Sequence, residues 1–563
     1  MVASQPISSI GCFGAKAGAA AASLFFRLPF YGATLTGRVP RAIRPHAPDP
    51  WPGDANTGSA IVGGRFALGG ELVAGDLAVW NGEGGPAWAE SFHGFEWLRD
   101  LQALGGDAAH QRARKLVKDW MAANEKWSAL VWRGDVLGRR LASWIAHYDF
   151  IAGGADAAFR TQVLTSLARQ TRHLARVVPG ALSGAALLSA LKGLVLGGLA
   201  LSGFERMLER AIGELAFQLT RQILADGGHM ERSPSLQLGI LRDLVDLRGA
   251  LIAAQQPMPD ELLHAIDRMA PMLRFFRMGD GGLALFNGGS EEQPWFVDLV
   301  LARTEAKGKP LAAAPHSGFQ RLNAGRTTIV ADSGVPVRLC RAQGIPDRAH
   351  AGTLSFEMSA GKDRVIVNCG AHPARNAAWS RAARATAAHS TLVIEDTNSA
   401  DVTASGLSKG PRVVTCTRKE TDDGIAIEAM HDGYAALFGL AHRRRLLLAH
   451  SGGELRGEDT LIALAGGRRK RPERKFAIRF HLHPDAKASL THDGRGVLVK
   501  LGSGAGARFS ASGGEVAIED SVYLGNGELR RSQQIVVSGV AEPLPEGDAA
   551  TVTWVLSKIG EKS

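Results

Sequence analysis

RAHAGTLSFEMSAGKDRVIVNCGA (Arg348–Ala371), followed after a loop by RATAAHSTLVI (Arg384–Ile394), is the stretch on which the reading of this chain turns. Apolar residues alternate with polar ones over Thr353–Met358, Arg364–Asn368 and Ser390–Ile394. That period of two predicts three half-buried strands. His350 stands just before the first strand, Asn368 ends the second and His389 precedes the third. Three adjacent strands would gather these side chains at one edge, as metal sites gather ligands distant in sequence. On spacing alone two solvent-facing loop histidines fit better, because no short-range ligand motif is present.

Downstream and upstream of this stretch, further strands are expected at Thr327–Asp332, Arg412–Thr417, Ile425–Ala429, Arg444–Ala449, Ala477–His483, Val497–Leu501 and Thr551–Leu556, with glycine turns between many of them. Many short strands in succession predict an antiparallel sandwich over residues 315–563. Residues 91–280 carry helical period instead. Phe95, Leu98, Leu101 and Leu104 share a face, and Gly105-Gly106 stops that helix. Further runs follow at about 108–124, 133–151, 155–177, 181–200, 203–225, 232–255 and 259–277. Short connections predict antiparallel helix pairs, which a bundle, a solenoid or an α/α toroid would all satisfy. Residues 281–314 read as a linker. Residues 1–90 read as a loose leader with short β pieces at Gly64–Leu68 and Asp76–Trp80.

With 563 residues the chain exceeds a single core. Hydrophobic residues at 45% and charged ones at 21% make it globular. A net charge of +10 and a pI near 9.6 suit an anionic partner. No Lys/Arg arm interleaved with aromatics is present, and Arg468–Lys475 (RRKRPERK) reads as a solvated loop, so nucleic acid is not the expected partner. Cys12, Cys340, Cys369 and Cys416 are too scattered to demand a disulfide framework. Ala17–Phe26 is apolar but too short to span a bilayer, and it lacks the basic start of a secretory signal. Stable membrane insertion is not expected. The tryptophans of the helical half read mostly as core.

Arg348, His350, Gly352, Ser355, Phe356 and Met358, then Asn368, Cys369 and Gly370, then Ala388, His389, Ser390 and Thr391 follow the layout H-x-H-x-D-x-x-S-F-x-[LM], D-x-G and A-H-[NS]-T. This resembles the C-terminal β-sandwich of the heparinase II/III-like polysaccharide lyases. His93–Asp100 (HGFEWLRD) and Asp226–Pro234 (DGGHMERSP) resemble marks of the same family's helical part. The resemblance implies an incomplete α/α toroid followed by an antiparallel β-sandwich. It also implies a carbon–oxygen lyase that cleaves an acidic, uronate-containing polysaccharide by β-elimination between the two parts, in the cell envelope or periplasm. A structural zinc ion on His350, Asn368 and His389 is implied as well. The chain departs from the pattern where Arg348 replaces the family's first histidine and Asn368 its aspartate. No tyrosine stands in Gly279–Glu292, where Phe286 and Asn287 occupy the region.

β-Elimination needs a neutralised carboxylate, a base for the adjacent proton and an acid for the departing oxygen. Gln237, where the family pattern places His or Asn, is the candidate to face the carboxylate, together with His229. Arg232 can pair with a substrate anion bidentately. Of four tyrosines, Tyr434 in the turn His431–Tyr434 is the candidate acid or base. Arg348 stays protonated and so would bind carboxylate or sulfate rather than shuttle protons. Arg375, Trp379, Arg381 and Arg384 would form a cationic aromatic wall, or else a solvated basic loop. His481 and His483 share a strand face, as a second metal site or a structural pair. The altered positions leave a second class open: a non-catalytic glycan-binding or cell-envelope scaffold on the same fold. A hydrolase would need paired carboxylates, and Asp226, Glu231 and Glu357 form no distinctive pair.

Overall fold

The computed structural model describes residues 18, 20–75, 84–337, 348–372, 377–403, 406–465 and 472–559. Helices fill the first half: α1 (Ala55–Val62), α2 (Pro86–Gly94), α3 (Leu98–Leu104), α4 (Gly106–Ala123), α5 (Gly134–Ala146), α6 (Tyr148–Ala152), α7 (Ala157–Val177), α8 (Gly184–Ala200), α9 (Glu205–Gln222), α10 (Pro234–Ala253), α11 (Asp260–Phe275) and α12 (Pro294–Thr304). Local chemistry sets their ends. Asp156 accepts from Phe159 N at 2.7 Å and so satisfies an orphan donor at the start of α7. Phe95, at φ 61°, ends α2 and turns the chain into α3, which buries Leu98 and Leu101. Helix α8 is apolar or small around nearly its whole circumference and therefore lies inside, against α5, α9 and α10. A Cβ on Gly193 of α8 would stand 2.4 Å from the Cα of Gly138 in α5, so the two helices touch through facing glycines. Among the described residues no helix is long and apolar enough to cross a membrane.

Two segments differ from expectation. The stretch read as a linker holds α12, whose Val297, Val300 and Leu301 join the helical core. The leader holds the unexpected α1, capped by Asp54, whereas its expected β piece at Gly64–Leu68 is present as β1 (Arg65–Leu68), paired with β2 (Glu71–Ala74) across Gly69-Gly70. Each helix is so short that its period spans barely two or three turns. The strand expected at Asp76–Trp80 lies outside the described residues.

The second half is antiparallel β. Its strands are β3 (Ala313–Ala314), β4 (Phe319–Ala324), β5 (Thr327–Asp332), β6 (Phe356–Ala360), β7 (Asp363–Val367), β8 (Leu392–Ile394), β9 (Val402–Thr403), β10 (Gly406–Leu407), β11 (Val414–Thr421), β12 (Gly424–His431), β13 (Leu440–Ala449), β14 (Glu454–Ala463), β15 (Arg474–Leu482), β16 (Lys487–Leu490), β17 (Gly496–Lys500), β18 (Gly506–Ser512), β19 (Glu515–Tyr523), β20 (Arg530–Ala541) and β21 (Gly547–Lys558). One sheet runs β11-β12-β13-β14-β21-β18-β17-β16, the other β19-β20-β15-β7-β6-β5-β4-β3, and β8 also pairs with β15. Leu446, Leu448, Leu461, Phe480, Phe509, Ile535 and Trp554 are among the buried residues of the sandwich core.

The three strands of the opening stretch are not side by side as expected. β6 pairs with β7, but β8 does not pair with β7. Instead β7 and β8 lie end to end along β15, with Val367 opposite His481 and Leu392 opposite Ile478. Asn368 and Ser390 therefore meet where one short strand stops and the next begins.

Candidate functional site

Two residues expected to face substrate are spent inside the helical half. Gln237, in the first turn of α10, is 1% exposed. Its Nε2 donates to Gly227 O at 2.8 Å and Met269 O at 3.2 Å, and its Oε1 accepts from His229 N at 2.9 Å. His229 is equally buried, with Nε2 3.0 Å from Gln222 Oε1. The segment around them ties elements together. Glu231 accepts from Ala185 N at 2.8 Å and so caps α8. Asp226 receives Ser317 N at 2.7 Å and Ser317 Oγ at 2.6 Å. Arg232, at φ 57°, donates to Ser317 O at 2.6 Å, Gly318 O at 3.2 Å and Val335 O at 3.1 Å, and pairs with Asp332. It serves as a clamp from the helical half to the sandwich, where a substrate contact was expected. Ser233 precedes α10 but makes no capping bond with its side chain.

Tyr434 also departs from expectation. It is fully buried in the sandwich core, its hydroxyl donates to Leu392 O at 2.9 Å, and burial pushes the phenol far above its ordinary range.

Other predicted residues do meet at a cleft of about 540 Å³ between the helical half and the sandwich. Arg348, His350 and Arg384 line it, together with His372, which the sequence reading did not single out, and Glu291 and Ser290 from the loop before α12. Asn287, at φ 47°, builds that loop into the wall: its Nδ2 donates to Arg232 O at 2.9 Å and its Oδ1 accepts from His350 N at 3.1 Å. Arg348 donates to Gly288 O at 3.3 Å. Arg384 is held by Ala349 O at 2.9 Å and Thr403 O at 3.0 Å. Helix α13 (Ala377–Arg384) carries Trp379, whose ring stacks on His372 at 6.1 Å, and the exposed Arg381. Arg375 lies outside the described residues.

Behind the cleft, His350 Nδ1 is 3.0 Å from His389 Nε2, and His389 Nδ1 is 2.7 Å from Ala385 O. Burial, then the neighbouring His389, Arg384 and Arg348, hold His350 well below its ordinary range. Burial holds His389 down at about 4. The third expected metal ligand does not fit: Asn368 donates Nδ2 to Leu285 O at 3.0 Å and accepts Ser390 N on Oδ1 at 3.0 Å. Among the described residues no three His, Cys, Asp or Glu side chains gather as a metal group. His481 and His483 part company as well. His481 lies 2.9 Å from Ala387 O and 2.8 Å from Ser521 Oγ, whereas His483 pairs with Glu291 at 3.3 Å.

Glu291 and Asp280 carry a charged network into the cleft wall, and its links were not marked by any sequence signal. Burial pushes the Glu291 carboxyl up, but His483, Arg364 and Tyr523 outweigh it and hold it near 2. Tyr523 donates its hydroxyl to Glu291 across 232 positions of sequence. Arg364 binds Asp280 at 2.7 Å and stands 3.9 Å from Glu357.

The sequence model described as "Heparinase II/III-like, C-terminal" matches residues 306–555. FtsZ-localized protein C of Caulobacter vibrioides is 36% identical over 538 residues, covering 92% of this chain and 90% of its own length. The chain belongs to the heparinase II/III-like family. Solved structures agree on the heparinase fold. A crystal structure of heparinase III superposes with a TM-score of 0.70 at 13% identity, over 99% of this chain and 93% of that one. A heparan sulfate lyase from Pedobacter heparinus superposes at 0.58 with 15% identity, over 97% and 89%. Within this heparinase II/III-like frame, the cleft is lined by arginines and by the imidazoles of His350 and His372, while the amide and phenol expected for elimination are buried.

Proposed function

We propose that this protein binds an acidic, uronate-containing glycan in the cleft without cleaving it, and that it does so as an FtsZ-localized protein. The observation that carries the reading is the commitment of Gln237, His229 and Tyr434 to buried structural bonds, while the half-buried Arg348 lines the cleft. Guanidinium groups hold a carboxylate or sulfate as a charged hydrogen-bonded pair, and a surplus of +10 draws a polyanion to the surface. Burial, with His389, Arg384 and Arg348 nearby, lowers the basicity of His350 and makes it a poor acceptor for a carbon-bound proton. The FtsZ-associated location extends to this chain what the name of its relative, FtsZ-localized protein C, says of that protein.

The test is a panel of acidic polysaccharides, including the producing cell's own, assayed in parallel for binding and for ultraviolet absorbance. The expected outcome is salt-sensitive binding with no unsaturated uronate. Arg348→Ala should weaken binding about tenfold, the loss of one charged hydrogen-bonded contact. The second reading, a lyase, is favoured by His350, whose Nε2 is the ring nitrogen not engaged with His389. A rise in absorbance that His350→Ala abolishes would replace the binding reading with that one.

A further inference from the structure

Two ring nitrogens facing each other at 3.0 Å share one proton or one cation. The geometry decides between them here. His389 Nδ1 lies 2.7 Å from a carbonyl oxygen, which can only accept, so that nitrogen carries hydrogen. In a neutral His389 ring Nε2 is then the acceptor, and His350 Nδ1 must be the donor. The chain reads His350 Nδ1–H to His389 Nε2, then His389 Nδ1–H to Ala385 O. His350 keeps a bare Nε2, and His350 lines the cleft while 93% buried, with 7% of its surface exposed.

The surroundings are fitted to this pair rather than to a metal. Asn368 gives a hydrogen to Leu285 O and takes one from Ser390 N, so both ends of its amide are spent. An aspartate there would set a carboxylate oxygen against the Leu285 carbonyl. At Gly352 a Cβ would lie 2.5 Å from His389 Cδ2, so this glycine leaves the ring its place.

We propose that the site which the family resemblance makes a metal centre is, in this chain, a proton-ordered histidine pair, and that His389 is a positioning residue that makes His350 Nε2 a hydrogen-bond acceptor for a sugar hydroxyl beside the carboxylate held by Arg348. The ligand part rests on the glycan-binding reading; the ordering of the pair does not.

The experiment uses the full chain, labelled with ¹⁵N-histidine, together with His389→Gln and His389→Leu. Glutamine can still accept from His350 Nδ1–H, whereas leucine cannot. The expected result is Nδ1–H tautomers for His350 and His389, no stoichiometric zinc after growth with added zinc, and a melting temperature unmoved by chelator. His389→Gln should keep the His350 tautomer and glycan affinity. His389→Leu should lose the tautomer and about five- to tenfold in affinity. One zinc ion per chain, lost in both variants together with thermal stability, would overturn the proposal. So would an Nε2–H tautomer at His350. A wild-type chain that shows the ordered pair but binds no glycan would sink the glycan reading and leave the pair standing.

Discussion

Glu357 sits in β6 with no exposed surface, accepts Asn368 N at 2.8 Å and has Arg364 at 3.9 Å. Burial raises its carboxyl from 4.5 to about 7 against the pull of Arg364 and two backbone donors. The folded chain therefore binds a proton that the unfolded chain releases between pH 4.5 and 7. Stability falls as pH rises through that window and is level above it. Glu357→Gln keeps the acceptor for Asn368 N without the charge, and should exceed wild type by about 3 kcal/mol at pH 8. The difference should vanish near pH 4.5. Urea unfolding at a series of pH values checks this, and a pH-independent difference would refute it. Letters alone did not separate Glu357 from the other carboxylates, nor Tyr434 from a catalytic phenol, because each property comes from what surrounds the group.

Strands β13, β14 and β21 meet on a buried ion. Asp459 in β14 accepts His442 Nε2 at 2.7 Å and Arg444 Nε at 2.7 Å from β13, and Trp554 Nε1 at 2.9 Å from β21. Burial alone would raise that carboxyl, but Arg444 and His442 hold it far below its ordinary value. Arg444 also donates to Leu354 O at 2.9 Å and Ser390 O at 2.7 Å, and so joins the two sheets behind the histidine pair. Asp459→Asn leaves Arg444 charged and buried, and should cost about 3–5 kcal/mol in denaturant unfolding. A loss under 1 kcal/mol would mean that the network adds little. At this scale the sequence was most legible: β5 falls on Thr327–Asp332 as expected, and α7, α8, α10 and α11 lie within a few residues of their predicted spans. Helix α12 escaped because its brief apolar face, Val297, Val300 and Leu301, faces the helical core from a segment rich in turn residues.

The two halves of the molecule are coupled by Asp226 and Arg232, which reach Ser317, Gly318, Asp332 and Val335 from the loop before α10. Arg232→Ala strands Asp332 inside the protein without its cation. It should cost about 3–5 kcal/mol and split a single thermal transition into two. Calorimetry reads the split, and hydrogen exchange should rise around residues 317–335. One unchanged transition would show that the halves are held by other contacts. The cleft lies along the same junction, so this variant should also weaken glycan binding without touching Arg348.

The sequence by itself determined that helices come first and strands second, because period depends on neighbours two to four residues away. Its strand motif also determined the family. Which polar groups remain free for a ligand was decided only by the tertiary structure. Gln237 looked available until Gly227 and Met269 filled its amide, and Arg232 until Ser317, 85 positions on, took its guanidinium. His350 and His389, 39 positions apart, became a pair because β7 and β8 end against each other on β15. A hydrogen-bonding group has only a few partners to give. Whether they are spent depends on contacts between distant parts of the chain, which local pattern does not record.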